Sequence, residues 1–224
     1  MERFAHLAMI ALAACSPKAP PPRAPPAPAG VPDASAAATP VAMPAGDPDD
    51  QATVDLFNAY FVAMADCTSG ARAAACTVVG RRQLQGDAED VREGVVALVK
   101  GCDLGEAEAC ELLSEELRSG ERLTMDRPRA AALSKRACDA GLDLACVSVA
   151  NDEFDGAAAP PDRKRAAEFL AEKCEAGGMR SCETLSVWLT KGTLGPARQA
   201  EGRVVLRRAC RLGSRPACDA LGER

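Results

Sequence analysis

Histidine is almost absent from this 224-residue chain: its single copy, His6, lies in an N-terminal apolar run, so the remainder has no imidazole for metal binding or for base catalysis near neutral pH. Aromatic residues make up only 3%, which rules out a core built on large rings. Runs of β-branched residues and hairpin turn pairs are scarce, while alanine, leucine, arginine and glutamate dominate, so a strand-based fold is not expected. No apolar stretch approaches the roughly 20 residues that a membrane-spanning helix needs. The net charge of −5 is mixed along the chain without a basic stripe interleaved with aromatics, so no nucleic-acid partner is expected.

What the chain has instead is cysteine, eleven copies of it, and most of them recur in register. Cys102/Cys110, Cys138/Cys146, Cys174/Cys182 and Cys210/Cys218 share one internal spacing and follow one another every 36 residues, after a looser copy at Cys67/Cys76. Glycine keeps the same period, at Gly70, Gly105, Gly141, Gly177 and Gly213 three residues after each leading cysteine, and again at Gly86, Gly120, Gly156 and Gly192. Self-similarity at this period marks a repeat array, and two glycine series per period punctuate two helices per repeat. The expected fold is all-α, an α/α superhelical solenoid of about four 36-residue helix-turn-helix repeats over residues 50–224.

The first helix of each hairpin is expected to open at Asp55, Asp90, Asp126 or Asp162, since aspartate is a good N-cap, with Pro128 just inside one start. Eight residues before each leading cysteine stands a small residue: Ala59, Gly94, Ala130, Ala166 or Gly202. The second helix is expected to begin at the trailing cysteine and to present one large and one small residue, as in Leu113–Ser114 and Leu185–Ser186, which suits close packing of neighbouring hairpins. Its two atypical ends, the offset first repeat and the short last helix, read as caps.

This arrangement puts the leading cysteine in the last turn of one helix and the trailing one in the first turn of the next, so a disulfide across each glycine turn is expected. Each clip closes a ring of nine or ten residues and contributes roughly 2–3 kcal/mol on the chain-entropy estimate, a useful supplement to a core poor in bulky side chains. Metal binding usually wants two to four residues between paired cysteines and often histidine partners; here the gap is seven, and no metal or other cofactor is expected. Redox catalysis needs a short cysteine motif with a lowered thiol pKa, and no such motif is present.

Disulfides require an oxidising compartment, and the N-terminus supplies an export signal: "MERFAHLAMIALAAC" has a charged start and an apolar run, and Leu12-Ala13-Ala14-Cys15 resembles a bacterial lipobox. Residues 1–14 are accordingly expected to be a lipoprotein signal peptide, and Cys15, the one cysteine outside the repeat pairs, the lipidation site. Ser16 after it suggests the outer membrane, facing the periplasm, with the lipid as sole membrane contact. Residues 15–49 hold eleven of the sixteen prolines and cannot build a core; they read as a semi-extended tether of about 3.1 Å per residue.

The paired cysteines at this period, strongest in "RAAALSKRACDAGLDLACVSVA" and "RAAEFLAEKCEAGGMRSCETLS", resemble Sel-one-like repeats, in particular the disulfide-rich Helicobacter cysteine-rich protein type. The resemblance covers about residues 51–224. It departs seven positions after the trailing cysteine, where the usual aromatic is replaced by Gln83, Leu117, Glu153 and Leu189. It implies a tetratricopeptide-like scaffold that binds protein or peptide partners in the bacterial envelope. It also implies an alternative, binding of β-lactams or peptidoglycan precursors with weak hydrolysis. The residues favour the scaffold, because no serine here has a lysine three positions on and no histidine serves as a zinc ligand. Carboxylate pairs such as Glu115/Glu116 more often form a solvated helix face.

A partner face is expected at the fifth and sixth positions after the trailing cysteine: Arg81/Arg82, Glu115/Glu116, Asn151/Asp152 and Val187/Trp188. Trp188, the only tryptophan, stands where other repeats are polar. The competing reading has Trp188 covering the joint to the last helix.

Overall fold

A computed structural model describes residues 51–157 and 159–222 of the protein. The expected signal peptide, Cys15 and the tether lie outside the described residues. Within them are ten helices and no strand: α1 (Gln51–Ser69), α2 (Ala73–Gln83), α3 (Ala88–Asp103), α4 (Ala107–Ser119), α5 (Arg127–Asp139), α6 (Asp143–Asp155), α7 (Arg163–Glu175), α8 (Met179–Lys191), α9 (Gln199–Arg211) and α10 (Arg215–Leu221). They pair into five hairpins, each helix packing on its sequence neighbours, with α2 also touching α4 and α6 touching α8.

The turn inside each hairpin repeats one backbone solution. Gly105, Gly141, Gly177 and Gly213 take φ between 92° and 102°. The residue after each glycine donates back to the carbonyl of Gly101, Ala137, Lys173 or Ala209 at 2.9–3.1 Å, closing the helix end. That turn brings the cysteines together. Five disulfides join Cys67–Cys76, Cys102–Cys110, Cys138–Cys146, Cys174–Cys182 and Cys210–Cys218, with Cα–Cα distances of 4.6–4.7 Å.

Three local expectations need correction. Asp126 and Asp162 do cap α5 and α7, accepting from the amides of Arg129 and Arg165, but α3 starts at Ala88 under Asp87, whose capping box enlists Asp90 as its partner, and α1 runs through Asp55. Second helices begin three residues before the trailing cysteine, because the glycine turn is followed almost at once by helical backbone. Gly120, Gly156 and Gly192 end their helices in the left-handed conformation, but Gly86 does not, since α2 stops at Gln83 and the link to α3 is shorter.

Between hairpins, the small residues permit near contact of backbones. A Cβ on Gly94 would lie 3.0 Å from the Gly80 carbonyl oxygen, Ala150 and Ala166 are wholly buried, and Ser186 Oγ donates to the Gly202 carbonyl at 2.9 Å. Cations reinforce these junctions: Lys100 Nζ donates to the Thr68 carbonyl at 2.6 Å and Arg208 Nη2 to the Glu175 carbonyl at 2.8 Å, each satisfying the carbonyl-rich end of the preceding first helix. Asp143, from α6, does the converse for the N-terminus of α8, accepting from the Arg180 amide at 2.6 Å.

Four apolar clusters run along the array, and their members are mainly alanine, leucine and cysteine. Cys76 and Cys182 are wholly buried, so the bridges fill the core as well as crosslink it. The ends do not both behave as polar caps. On α1 large apolar side chains face outward among polar ones, with Leu56 65%, Val62 56% and Phe61 43% exposed beside Asp55 and Asn58. No helix among the described residues is long and apolar enough to cross a membrane.

Candidate functional site

The open site lies between first helices. A groove of about 610 Å³ runs between α7 and α9, over α8. Its floor is Leu185 and Leu189, both largely buried; Ala167 and Ala171 keep the α7 wall low, and Val204 on α9 is 62% exposed. Small residues on one wall and branched apolar ones on the other leave a trough that is apolar but open to water.

Two ion pairs and one further cation line the rim, the last being Arg163, whose guanidinium lies 4.9 Å from the Phe154 ring centroid. Arg198 donates through Nε to Glu201 Oε1 at 2.8 Å and through Nη2 to Oε2, and Lys164 lies 3.5 Å from Glu168. The hydrogen bond from Arg198 holds the Glu201 carboxyl below its usual range. With Arg163 beside the two pairs, the rim carries three cations against two carboxylates.

The residues expected to form a graded partner face divide by position. Arg81, Glu115, Asn151 and Val187 are exposed, and Arg81 pairs with Glu108. At the sixth position Arg82 is exposed, but Glu116, Asp152 and Trp188 turn inward, which corrects the expectation of one continuous surface. The reason is helix rotation: one residue's step of about 100° separates the two positions, and the later hairpins pack over the sixth.

Trp188 is 9% exposed and lies against Phe154, ring centroids 4.6 Å apart, within the cluster that joins α6, α7 and α8. Asp152 anchors a buried polar lock. Arg118 reaches it across the hairpin junction with Nε to Oδ1 at 3.1 Å and Nη2 to Oδ2 at 2.9 Å, and also donates to Ser134 Oγ at 3.0 Å. Ser134 in turn donates to Glu111 Oε2 at 2.8 Å and sits 2.7 Å from Ser114 Oγ. Burial acts against the Arg118 charge, yet its hydrogen bond to Asp152 and the charges of Asp152, Glu111 and Glu115 outweigh it and raise its pKa. Glu116 receives Arg122 Nη1 at 2.7 Å.

Ser134 beside a carboxylate has the composition of a hydroxyl and base, but Ser134 and Ser114 have no exposed surface and Glu111 only 7%. A substrate has no path to them, and the cluster is a fastener between α4, α5 and α6. No group of three or more histidine, cysteine or carboxylate side chains among the described residues could hold a metal ion. The wall residues of the groove escaped sequence reasoning because they sit on first helices, α7 and α9, whereas the expected partner face was drawn on second helices. The one available signal was the apolar pair Val204–Val205, out of step with the charged residues around it.

No protein-family model and no curated protein matches the chain. Solved structures do. A Sel1 repeat protein from Oxalobacter formigenes is similar at TM-score 0.58 and 17% identity, over 68% of this chain and 64% of its own. A protective antigen of uropathogenic Escherichia coli displaying an SLR fold is similar at TM-score 0.52 and 16% identity, over 67% of this chain and 32% of its own. Helicobacter pylori cysteine rich protein B is similar at TM-score 0.41 and 18% identity, over 74% of this chain and 94% of its own. The chain therefore spans less than two thirds of the length of the first two. Likeness at such identities defines the fold. The chain has the α/α solenoid fold of Sel1-repeat proteins, with five disulfides across its hairpin turns.

Proposed function

We propose that the protein is an exported, lipid-anchored and non-enzymatic scaffold that binds a protein or peptide segment in the groove between α7 and α9. The observation that carries this reading is the open apolar trough floored by Leu185 and Leu189 and walled by the exposed Val204, with the Arg198–Glu201 and Lys164–Glu168 pairs and Arg163 at its rim. Such a trough suits an extended or helical segment with a few apolar anchors. The sealed Ser134–Glu111 contact favours a scaffold over a hydrolase, because no reactive hydroxyl with an adjacent base opens to solvent there.

Five disulfides fit an oxidising compartment, and their use of ten cysteines leaves Cys15 for lipid attachment. Residues 15–49 would then hold the solenoid away from the outer membrane on its periplasmic side. Palmitate labelling that survives Cys15→Ser would overturn the anchor.

The groove is tested by capture from envelope extract with the wild type, Val204→Glu in the groove, and Val78→Glu, an equally exposed change on α2. A protein retained by the wild type and by Val78→Glu but lost by Val204→Glu is the expected result. Retention by Val204→Glu, or turnover of a chromogenic β-lactam by the purified chain, contradicts the reading.

A further inference from the structure

The three cations at the rim of the groove are not equally engaged. Arg198 holds Glu201 through two hydrogen bonds. Lys164 meets Glu168 at 3.5 Å, but the two side chains are 88% and 66% exposed, and a pair so open to water holds its members loosely. Arg163 differs from both. Among the described residues no carboxylate, carbonyl or hydroxyl accepts from it, and its guanidinium lies instead over the Phe154 ring, 4.9 Å from the centroid. Contact with a ring face engages the charge and spends none of the N–H donors.

Phe154 is itself held in place. Its ring centroid lies 4.6 Å from that of Trp188, which is buried in the joint of α6, α7 and α8. Arg163 therefore stands on an aromatic support at the edge of an apolar trough, which reduces the entropy lost when a ligand orders its long side chain. The nearby carboxylates off the trough are committed elsewhere. Asp162 caps α7 by accepting from the Arg165 amide at 2.9 Å, and Glu153 accepts from the Arg165 side chain at 2.9 Å; neither lines the trough.

Chemistry is also ordered along the trough. Arg163 and Lys164 lie in the first turn of α7 and Arg198 just before α9, so the cations gather where the two wall helices begin. Further along the walls, Ala171 and Val205 are uncharged. Leu194, from the link between α8 and α9, adds an apolar side chain at the cationic end. Apolar contact is thus available on that side too, which fits a carboxylate carried within a segment rather than on its last residue.

We propose that Arg163 sets the specificity of this groove and that the partner is a peptide segment with an aspartate or glutamate side chain beside its apolar anchors. The inference rests on the peptide-binding reading of the groove. The anchors pack over Leu185 and Leu189, and the carboxylate takes a forked pair of hydrogen bonds from Arg163. A basic segment is rejected, because it meets three cations with only Glu168 and Glu201 to offset them.

The test is selection from a random peptide library displayed without free C-termini, on the oxidised full chain. Wild type, Val204→Glu, Arg163→Gln and Arg163→Lys are used in parallel; Arg163 is exposed, so its replacement leaves the hairpins folded. The wild type is expected to enrich segments with apolar residues and one acidic residue at a fixed spacing. Arg163→Gln is expected to keep the apolar preference and lose the acidic one, and Arg163→Lys, which keeps the charge without the fork, to retain part of it. Fluorescence polarisation with a capped peptide of the selected sequence then compares an acid-to-amide change in the peptide, Arg163→Gln in the protein, and both. Each single change is expected to weaken binding about tenfold and the two together no further, as for groups in direct contact. An acidic preference that is absent from the wild type, or that persists on Arg163→Gln, overturns the assignment while leaving the groove intact. Enrichment confined to a second library with free C-termini means that a chain end is the ligand, and overturns it as well. A wild type that enriches nothing beyond what Val204→Glu enriches removes the groove itself, and this inference with it.

Discussion

Replacing both Cys138 and Cys146 by alanine isolates what one clip contributes. The bridge joins residues eight apart with Cα atoms 4.6 Å apart, so it closes a nine-residue ring. On the chain-entropy relation such a ring restricts the unfolded chain by about 2.6 kcal/mol at 25 °C. The two sulfurs are also core atoms, 6% and 4% exposed at residue level, and their loss removes packing of about 1 kcal/mol. The combined cost of about 3–4 kcal/mol corresponds to a fall in Tm of roughly 7–14 °C for a domain of this size. Calorimetry of the oxidised variant measures it, with a non-reducing peptide map to show that the other four bridges are in place. The same change at Cys210–Cys218 is expected to cost less, because both residues are half-exposed and only the short α10 depends on them. A shift below about 2 °C at the central clip, or a map with crosslinks between different hairpins, would refute the reasoning.

Asp152→Ala strands Arg118 in a mostly buried site and is expected to destabilise the protein by about 2–4 kcal/mol in urea, whereas replacing both residues by leucine or methionine is expected to cost much less; a loss below about 0.5 kcal/mol for the single change would contradict the lock. Trp188 is expected to emit at short wavelength and to resist acrylamide, with Phe154→Ala shifting the emission to the red; quenching as efficient as that of free indole would show that the ring is not buried. Hydrogen bonds from the backbone amides of Asp90 and Glu89 lower the pKa of Asp87, so its cap is fully stabilising above the ordinary carboxylate pKa and is lost as pH falls through the lower folded value. Protection of the Glu89 and Asp90 amides, taken relative to their intrinsic exchange rates at each pH, is therefore expected to fall at acid pH, and Asp87→Asn, which caps without titrating, is expected to weaken that fall; an unchanged loss of protection in Asp87→Asn would contradict the assignment.

The polar residues that matter most to this architecture were the hardest to recognise in the sequence. Ser134 and Ser148 look like ordinary helix-surface serines, and Glu111 like a solvated carboxylate, until α4, α5 and α6 bring them within hydrogen-bonding distance of one another. Trp188 and Asp152 occupy equivalent register positions, yet one fills an apolar joint with Phe154 and the other a charged joint with Arg118. A junction can thus be sealed by either chemistry, provided that both halves match. The wrong sign at Glu172 makes the same point in reverse: it stands where Lys100, Arg136 and Arg208 reach back to a helix end, and the junction between α5 and α7 leans on Asp143 capping α8 instead.

The amino-acid order alone settled the period, read from its recurrence along the chain, and the features that depend on neighbours within about ten residues: the glycine turns, the two helices per unit and which cysteines pair. A turn of fixed length holds its own two helix ends together, so distant parts of the chain have little say in those outcomes. Which face of each helix meets water was decided only by the stacking of one hairpin on the next. A rotation of one residue moves a side chain from the surface into a joint, and that rotation is set by residues of the neighbouring hairpin, as at Gly80 against Gly94 and at the groove between α7 and α9.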